Sequence, residues 1–279
     1  MIDIILYSIA IGTAYALMAS GFNLLFGIGR IVNLAYGAFM ALVAYTYSSL
    51  SMYVNPLLAA IGSVAIMSLV GTLGWTILRI LRENEILMIV VSISIALMIE
   101  GLLLYIYGPY QRVVPTLVQG GVWILPWQWI VAIIIGAVVL ASYYFIANHT
   151  KIGKSMRAAA ENPELALMIG IKVDRVYYFT AFLSSLFAAV AALMISPMLT
   201  ITPHVAWLFL TVVLAVSILG GIGNVVGSII AGYILSFAER LSAYYIDPQI
   251  QAFIPVLLVV FILLIRPRGL LGQKEERWA

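Results

Sequence analysis

The chain contains no cysteine, which excludes a disulfide framework and any thiolate metal site. Its two histidines, His149 and His204, fall in different predicted loops and do not predict a shared metal site. Charge is scarce too: 9% of the 279 residues are Asp, Glu, Lys or Arg, whereas a soluble domain has about 25%. A larger soluble core does not explain this deficit, so the composition indicates a protein that has lipid as its solvent.

The sequence also lacks the signatures of common catalytic sites. The run GKS at 153–155 resembles the end of a phosphate-binding P-loop, but Asn148 stands where that loop needs glycine and no strand is predicted before it. The zinc-protease pattern HExxH and the hydrolase pattern GxSxG are absent as well. We therefore expect no enzymatic activity in this chain, and no cofactor or metal ion of its own.

In place of charge, the sequence has a series of long apolar runs, and 64% of its residues are hydrophobic. An α-helix needs about 20 apolar residues to cross a bilayer. The runs are continuous, without the two-residue alternation of barrel strands, so they predict helices. The predicted fold is an all-α integral membrane protein, a bundle of about eight to nine transmembrane segments in one domain, 1–279. The predicted segments lie near 4–27, 32–53, 56–80, 87–107, 127–147, 177–197, 206–219, 225–240 and 250–265.

The region 206–240 is too long for one ordinary helix and is interrupted by the run LGGIGN. Gly220, Gly221 and Gly223 loosen the backbone there, and Asn224 follows them. We predict two short helices joined at these glycines. The alternative is one long tilted helix, which would remove a span and reverse the side of the N-terminus. Broken helices often line a substrate path, so these four residues are candidate path residues, whereas close helix packing explains the glycines equally well.

Basic residues concentrate on one side of the predicted spans. With nine spans, only Arg112 and Arg240 fall on the side of the N-terminus. Positive charge favours the cytoplasmic side, so we expect a plasma or inner membrane protein with an extracytoplasmic N-terminus and a cytoplasmic C-terminus. The residues on the predicted cytoplasmic side are Arg30, Arg79, Arg82, Lys151, Lys154, Arg157, Lys172, Arg175, Arg266, Arg268, Lys274 and Arg277.

The most polar segment is the predicted cytoplasmic loop at about 149–176, which contains a short helix with start and stop signals. Asn162 suits the N-cap, Pro163 the first helical position, and Glu164 complements the positive end of the helix dipole. Gly170 can adopt the left-handed conformation that ends a helix. Because loops on a rigid scaffold often carry function, this short helix is a predicted contact surface.

Few polar groups lie within the predicted spans. Asn23 and Asn33 flank the run GIGR, and Tyr36 and Gly37 follow one turn later. An amide in hydrocarbon needs a partner, so these residues are predicted either in the transport path or in bonds between helices. Glu100 is predicted in the outer third of its span, where a carboxylate has a functional or paired role. A boundary shifted by one turn would instead make it interfacial.

One short run of the sequence occurs twice with small changes. GIGRIV at 27–32 resembles GIGNVV at 221–226, and each opens an apolar helix. Transporters are commonly built from duplicated halves, although six small apolar residues can also match by chance.

Four longer runs together are similar to a known family. They are GFNLLFGIGRIVNLAYGAFMALVAY, RAAAENPELALMIGIKVDRV, LTVVLAVSILGGIGNVVGSIIAGYILSFAE and the ending IRPRGLLG. The first three resemble the first motif block, the cytoplasmic coupling loop and the glycine-rich late block of branched-chain amino acid ABC transporter permeases. The resemblance covers nearly the whole chain and is strongest to the shorter of the two permeases that pair in such importers.

The resemblance implies an importer for branched-chain or similar amino acids. It implies cytoplasmic ATPase subunits that bind the ATP, a second permease subunit that forms a heterodimer with this chain, and an extracytoplasmic substrate-binding protein. Energy would reach this chain mechanically through the helix at 163–169, whose apolar side chains would fill a groove on the ATPase. The implied coupling residues are the apolar Leu165, Leu167 and Met168, the rim charges Arg157, Glu161 and Glu164, and the cap residues Asn162, Pro163 and Gly170.

Two positions depart from the family pattern. After Asn33 the family tends to have a His and an acidic residue, where this chain has Tyr36 and Ala38. Relatives move urea, amides or other small polar solutes, so a permease for one of these is the alternative substrate class. The alternative mechanism is a channel or facilitator that works without ATP, in which the loop is only a solvated connector. A separate alternative for the short helix is that it lies on lipid headgroups and does not dock on an ATPase.

Overall fold

The computed structural model describes residues 2–81, 84–118, 120–122 and 125–272. Arg82, Lys274 and Arg277 lie outside the described residues. The α-helices are α1 Ile2–Gly29, α2 Tyr36–Leu50, α3 Pro56–Ile80, α4 Glu85–Tyr107, α5 Trp127–His149, α6 Lys151–Glu161, α7 Pro163–Met168, α8 Val173–Ile195, α9 Val205–Gly220, α10 Val225–Tyr245 and α11 Ile254–Ile265. The strands are β1 Arg112–Val113, β2 Gly121–Val122, β3 Leu125–Pro126 and β4 Thr200–Ile201.

The prediction of an all-α membrane bundle is confirmed, with two small additions. β1 pairs antiparallel with β4, so that Arg112 lies opposite Ile201, and β2 pairs with β3 in a short hairpin. These two-residue strands join loops at one end of the bundle and do not form a layer of their own.

Contacts between helix ends show which loops lie at the same end of the bundle. Arg79 at the end of α3 pairs with Asp174 at the start of α8, and Gly27 near the end of α1 lies against Gly223 just before α10. The segment after α11 hydrogen-bonds to the end of α9. We call this end of the bundle, which includes α6 and α7, the basic face. The pairing of β1 with β4 joins the ends of α4 and α8 on the opposite face.

The helices of the described residues differ in whether they are long enough to span a bilayer. Seven helical segments are long and apolar enough to span a bilayer, the last of them running from Pro248 through a 3₁₀ turn into α11. α2, with 15 residues, and α9, with 16, are shorter. The predicted multi-span bundle is therefore confirmed, and the count of about eight to nine segments stays a prediction.

The predicted helix break within 206–240 is also confirmed. The chain reverses between α9 and α10, where Gly221 and Gly223 have φ values of +102° and +84°. Backbone in this left-handed region favours glycine, which has no Cβ to clash. The alternative of one long tilted helix is excluded.

α1, α8 and α10 form the centre of the bundle, where glycines let the helices approach closely. A Cβ added at Gly232 of α10 would lie 2.6 Å from the backbone nitrogen of Ala16 in α1. A Cβ at Gly27 would lie 2.8 Å from the Gly223 carbonyl oxygen, so the two similar runs GIGRIV and GIGNVV meet in space. The glycines therefore have the packing role that was one of their two predicted explanations.

Replacing Gly220 with valine should destabilise the bundle. A Cβ there would lie 2.4 Å from the backbone carbon of Gly227, so α9 and α10 would have to separate. We expect a loss of about 1–3 kcal/mol, the usual range for overpacking, seen as a lower thermal midpoint of the detergent-purified protein.

Gly62→Ala in α3 is the matched control, since its Cβ would meet only the end of the Leu50 side chain at 3.4 Å. An unchanged midpoint for the Gly220 variant would show that the α9–α10 contact is not tightly packed.

Candidate coupling surface and transport path

The loop at 149–176 folds as two helices, of which the sequence predicted only the second. α6 follows α5 after a corner at Thr150, whose hydroxyl accepts a hydrogen bond from the backbone of Gly153 at 3.2 Å. A Cβ at Gly153 would lie 2.3 Å from the Ala147 carbonyl oxygen, so this glycine serves a tight corner.

The caps of α7 are confirmed. The side-chain oxygen of Asn162 accepts hydrogen bonds from the backbone N–H groups of Glu164 and Leu165, at 3.0 and 3.1 Å, and Pro163 occupies the first position. Gly170 has a φ of +85°, and the next N–H, of Ile171, donates to the Ala166 carbonyl at 3.0 Å. This is the Schellman arrangement, which stops the helix after six residues.

α7 turns one side into the bundle and the other outward. Ala166 is fully buried, whereas Leu165, Leu167 and Met168 are exposed, Met168 to 81%. The sequence reasoning missed Ile169, which is also exposed and extends the same patch; its signal was an apolar residue directly before the stop glycine. We call these four exposed apolar residues the α7 surface.

Charges surround the α7 surface, with Arg157 as an exception. Glu161 and Glu164 are exposed beside it. Arg157, by contrast, points toward the end of α5, where it donates to the Ala147 carbonyl at 2.5 Å and to the Asn148 side chain at 3.3 Å. It therefore stabilises the α5–α6 corner, and its part in coupling stays a prediction.

Asn23 makes a bond between helices, which was one of its two predicted roles. It is fully buried, and its amide nitrogen donates to the Ser228 hydroxyl in α10 at 2.5 Å. Its oxygen accepts from the backbone N–H of Gly223 at 3.1 Å. The side chain therefore fixes the end of α1 to the α9–α10 reversal.

The next candidates are buried between α1, α2, α8 and α9. Asn33 accepts from the backbone N–H of Ala35 at 3.0 Å, and the Tyr36 hydroxyl donates to the Ser184 carbonyl at 3.1 Å. A Cβ at Gly37 would lie 2.2 Å from the carbonyl oxygen of residue 206. Asn33 and Tyr36 also line a cavity of about 10 Å³, which has room for about one water molecule and not for an amino acid.

The predicted path residues of the α9–α10 reversal lie at the basic face, where the segment after α11 covers them. They are Gly220, Gly221, Gly223 and Asn224. The Asn224 amide donates to the Leu271 carbonyl at 2.8 Å. A role of these residues in the transport path stays a prediction.

A polar cluster that the sequence did not predict lies near the opposite face. Glu100 in α4 is 7% exposed, and one carboxylate oxygen contacts Nδ1 of His204. The other oxygen accepts from the indole N–H of Trp207 at 2.7 Å. The paired alternative for Glu100 is therefore confirmed. Its partners could not be found from spacing, since about 100 residues separate them from Glu100 in sequence.

The architecture and the loop surface agree with a comparison against family models. Residues 4–263 match the family described as the permease component of branched-chain amino acid transport systems. The chain belongs to this family. It is a multi-pass membrane protein and a transport permease, a subunit type that is not itself an enzyme.

Relatives of this permease extend over nearly its whole length. It is 27% identical to the high-affinity branched-chain amino acid transport system permease protein LivH of Escherichia coli (strain K12), covering 96% of this chain and 94% of that protein. It is 24% identical to BraD of Pseudomonas aeruginosa over the same shares of the two chains. A probable LivH permease of Methanocaldococcus jannaschii is 26% identical, with 92% and 88% covered.

A solved structure shares the permease's fold. The structure of PsaBC from Streptococcus pneumoniae in complex with Fab gives a TM-score of 0.56 over 94% of this chain and 91% of that chain. The sequence identity is 11%, so this similarity concerns the fold alone.

The double variant Asn162→Ala with Gly170→Val should loosen α7 while leaving the bundle intact. The first change removes a cap, which costs about 1 kcal/mol, and the second forces a branched residue into the left-handed region, which costs about 1–2 kcal/mol. We expect faster amide hydrogen exchange confined to α7. Ser155→Ala in α6 is the control, and equal exchange in the two variants would contradict the role of these caps.

Proposed function

We propose that this permease is the membrane subunit of an ABC importer that moves branched-chain amino acids into the cell. The observation that carries the proposal is the α7 surface, where four neighbouring apolar side chains are exposed on a capped helix outside the bundle. Exposed apolar patches with polar rims mark protein interaction sites. Because the chain has no P-loop, ATP binding and hydrolysis fall to separate subunits that dock on this surface.

The packing beneath α7 supports a role of this helix in transmitting movement from the ATPase to the membrane helices. Ala166 belongs to a buried apolar cluster that also includes Met156 of α6, Trp75 of α3 and Tyr177 of α8. The rings of Trp75 and Tyr177 lie with their centroids 5.9 Å apart. A movement imposed on α7 therefore reaches two membrane helices through contacts between close-packed side chains, which transmit displacement well.

The charge distribution supports the orientation. Lys151, Lys154, Lys172 and Arg175 are all exposed around α6 and α7. By the positive-inside rule the basic face is cytoplasmic, which gives an extracytoplasmic N-terminus, a cytoplasmic C-terminus and an α7 surface on the side where ATP is available.

The substrate class rests on the relatives. LivH and BraD are named as branched-chain amino acid permeases, and they align over nearly the full chain. The two departures from the family pattern do not favour another substrate, because Tyr36 and Ala38 are both buried inside the subunit. Gly21 leaves the room that the Tyr36 hydroxyl occupies, so that substitution is a matter of packing.

Two further partners complete the proposal. A second, different permease subunit forms the pathway together with this chain, and an extracytoplasmic binding protein delivers the substrate to the face opposite the α7 surface. Urea and amides remain the alternative cargo, to be separated by the ligand of the binding protein that purifies with the complex.

Leu165→Asp combined with Met168→Asp should uncouple the importer. Each buried leucine or methionine contributes about 1.5–3 kcal/mol to an interface, so we expect at least a tenfold loss of ATP-driven leucine uptake with normal membrane insertion. The ATPase subunits should also be lost from the detergent-purified complex.

Leu165→Met with Met168→Leu is the matched control, since it keeps the patch apolar and should retain uptake. Full uptake and a full complement of ATPase in the aspartate variant would rule out α7 as the coupling site. Leucine flux by the purified chain alone, without ATP, would identify a facilitator instead.

A further inference from the structure

The outward sides of most membrane helices suit lipid, but part of α9 does not. α11 is built from apolar residues throughout, and α3 exposes mainly leucine and isoleucine. α9 instead follows His204, whose side chain is 67% exposed, and the helix carries exposed Trp207, Leu208 and Thr211. These four residues form a stripe on the outside of the subunit.

The polar end of this stripe lies within the thickness of the membrane. α4 has 23 residues and is about 34 Å long, and Glu100 lies seven residues, or about 10 Å, before its end. α9, with 16 residues, is about 24 Å long, which is shorter than the hydrocarbon core of about 30 Å. Both lengths therefore place Glu100 and His204 below the membrane surface.

Such groups are not compatible with a lipid-facing position. Ionisable side chains in membrane segments face the bundle interior or a water-filled cavity, and irregular backbone at membrane depth lies against protein or water. The chain at 199–204 is largely irregular and leads directly into the stripe. The outer half of this side of the subunit therefore faces water, as a pathway completed by a second subunit would.

The Glu100 carboxylate is buried, but its partner His204 is exposed. The Trp207 indole holds one carboxylate oxygen at 2.7 Å, whereas the other oxygen meets only the exposed imidazole of His204. Glu239, another carboxylate in a described membrane helix, is buried to a similar extent but differs in its partner, because Tyr15 of α1 is itself buried.

We propose that Glu100 binds the ammonium group of the substrate in the outer half of the pathway; this proposal rests on the proposed import of amino acids. The imidazole of His204 turns toward water and an N–H of the ammonium takes its place on the carboxylate. The indole N–H of Trp207 keeps the carboxylate oriented, and the face of its ring favours a cation nearby. A charge-assisted hydrogen bond of this kind distinguishes an amino acid from an uncharged solute of similar size.

The first test is leucine uptake by the complete transporter. Glu100→Gln keeps the size of the side chain and an oxygen for the Trp207 indole but removes the charge. We expect uptake to fall about tenfold or more, the loss of one charge-assisted bond, with normal assembly and basal ATP hydrolysis. Glu85→Gln, at the exposed start of the same helix, is the matched control and should retain uptake.

A purely structural role of Glu100, in which it only joins α4 to α9, predicts a different effect of His204→Ala on uptake. If Glu100 only joins the helices, His204→Ala should cost as much uptake as Glu100→Gln, which would overturn the proposal. If Glu100 binds the ammonium, His204→Ala removes the group that competes for the carboxylate, so the leucine concentration at half-maximal uptake should fall, whereas Glu100→Gln should raise it.

The second test does not depend on transport, and the absence of cysteine from the chain makes it direct. In the assembled transporter, Leu208→Cys should react with water-soluble methanethiosulfonates, and the trimethylammonium reagent should react faster than the sulfonate by on the order of tenfold. Ile134→Cys, exposed on α5 at a similar depth, should not react. Adding Glu100→Gln to Leu208→Cys should remove the preference for the cation.

The two tests distinguish the proposed import of amino acids from the proposed role of Glu100. A wild-type complex that takes up no leucine, yet shows the charge preference at position 208, would overturn the proposed function and retain a cation-accepting pathway. Normal uptake by the Glu100→Gln variant, an unreactive Leu208→Cys, or equal reactivity toward the two reagents would each overturn the role of Glu100.

Discussion

Lipid offers no hydrogen bonds to a backbone, so every interruption of a helix in this protein has to find its partners within the chain. The reversal between α9 and α10 shows how such partners are supplied at a helix end. The carbonyls of Leu219 and Gly220 end α9, and they accept the N–H groups of Leu270 and Leu271 from the segment after α11. The segment that ends the described chain therefore supplies the donors that let α9 stop at this depth.

The same reversal depends on an asparagine and on glycines for different physical reasons. Asn224 caps α10 through the backbone N–H of Gly227 and also donates to the Leu271 carbonyl, so one side chain serves two elements. The glycines supply left-handed backbone and close approach, because a Cβ at Gly221 would lie 2.6 Å from the nitrogen of Gly272. Polar satisfaction and tight packing are thus met at one point, where three helix ends come together.

Charge in this permease is scarce and its placement is correspondingly informative. At the basic face it surrounds an apolar patch, the combination that suits docking of a water-soluble partner. Near the opposite face, Glu100 is held by two residues of α9, whereas Glu239 is enclosed by α1 and α10. The two carboxylates are about equally buried and differ in their partners, since Glu100 contacts the exposed imidazole of His204 whereas Glu239 accepts from the buried Tyr15.

Several features followed from the sequence by itself, because they depend on local chemistry. Apolar length and the positive-inside bias gave the spans and their alternation, the run LGGIGN gave the break between α9 and α10, and Asn162 with Gly170 gave both ends of α7. The family was also recognisable from contiguous runs. The sequence did not decide the role of a polar residue such as Asn23, for which two roles were possible.

Only the tertiary structure decided those cases, since the partners are distant in sequence. It assigned Asn23 to Ser228 of α10, turned Arg157 toward the end of α5, and brought His204 and Trp207 onto Glu100. It also revealed α6, which has few apolar residues and forms against the corner at Thr150. Local sequence sets where helices begin and end, whereas the contacts of a buried polar side chain depend on how the helices rotate and pack against one another.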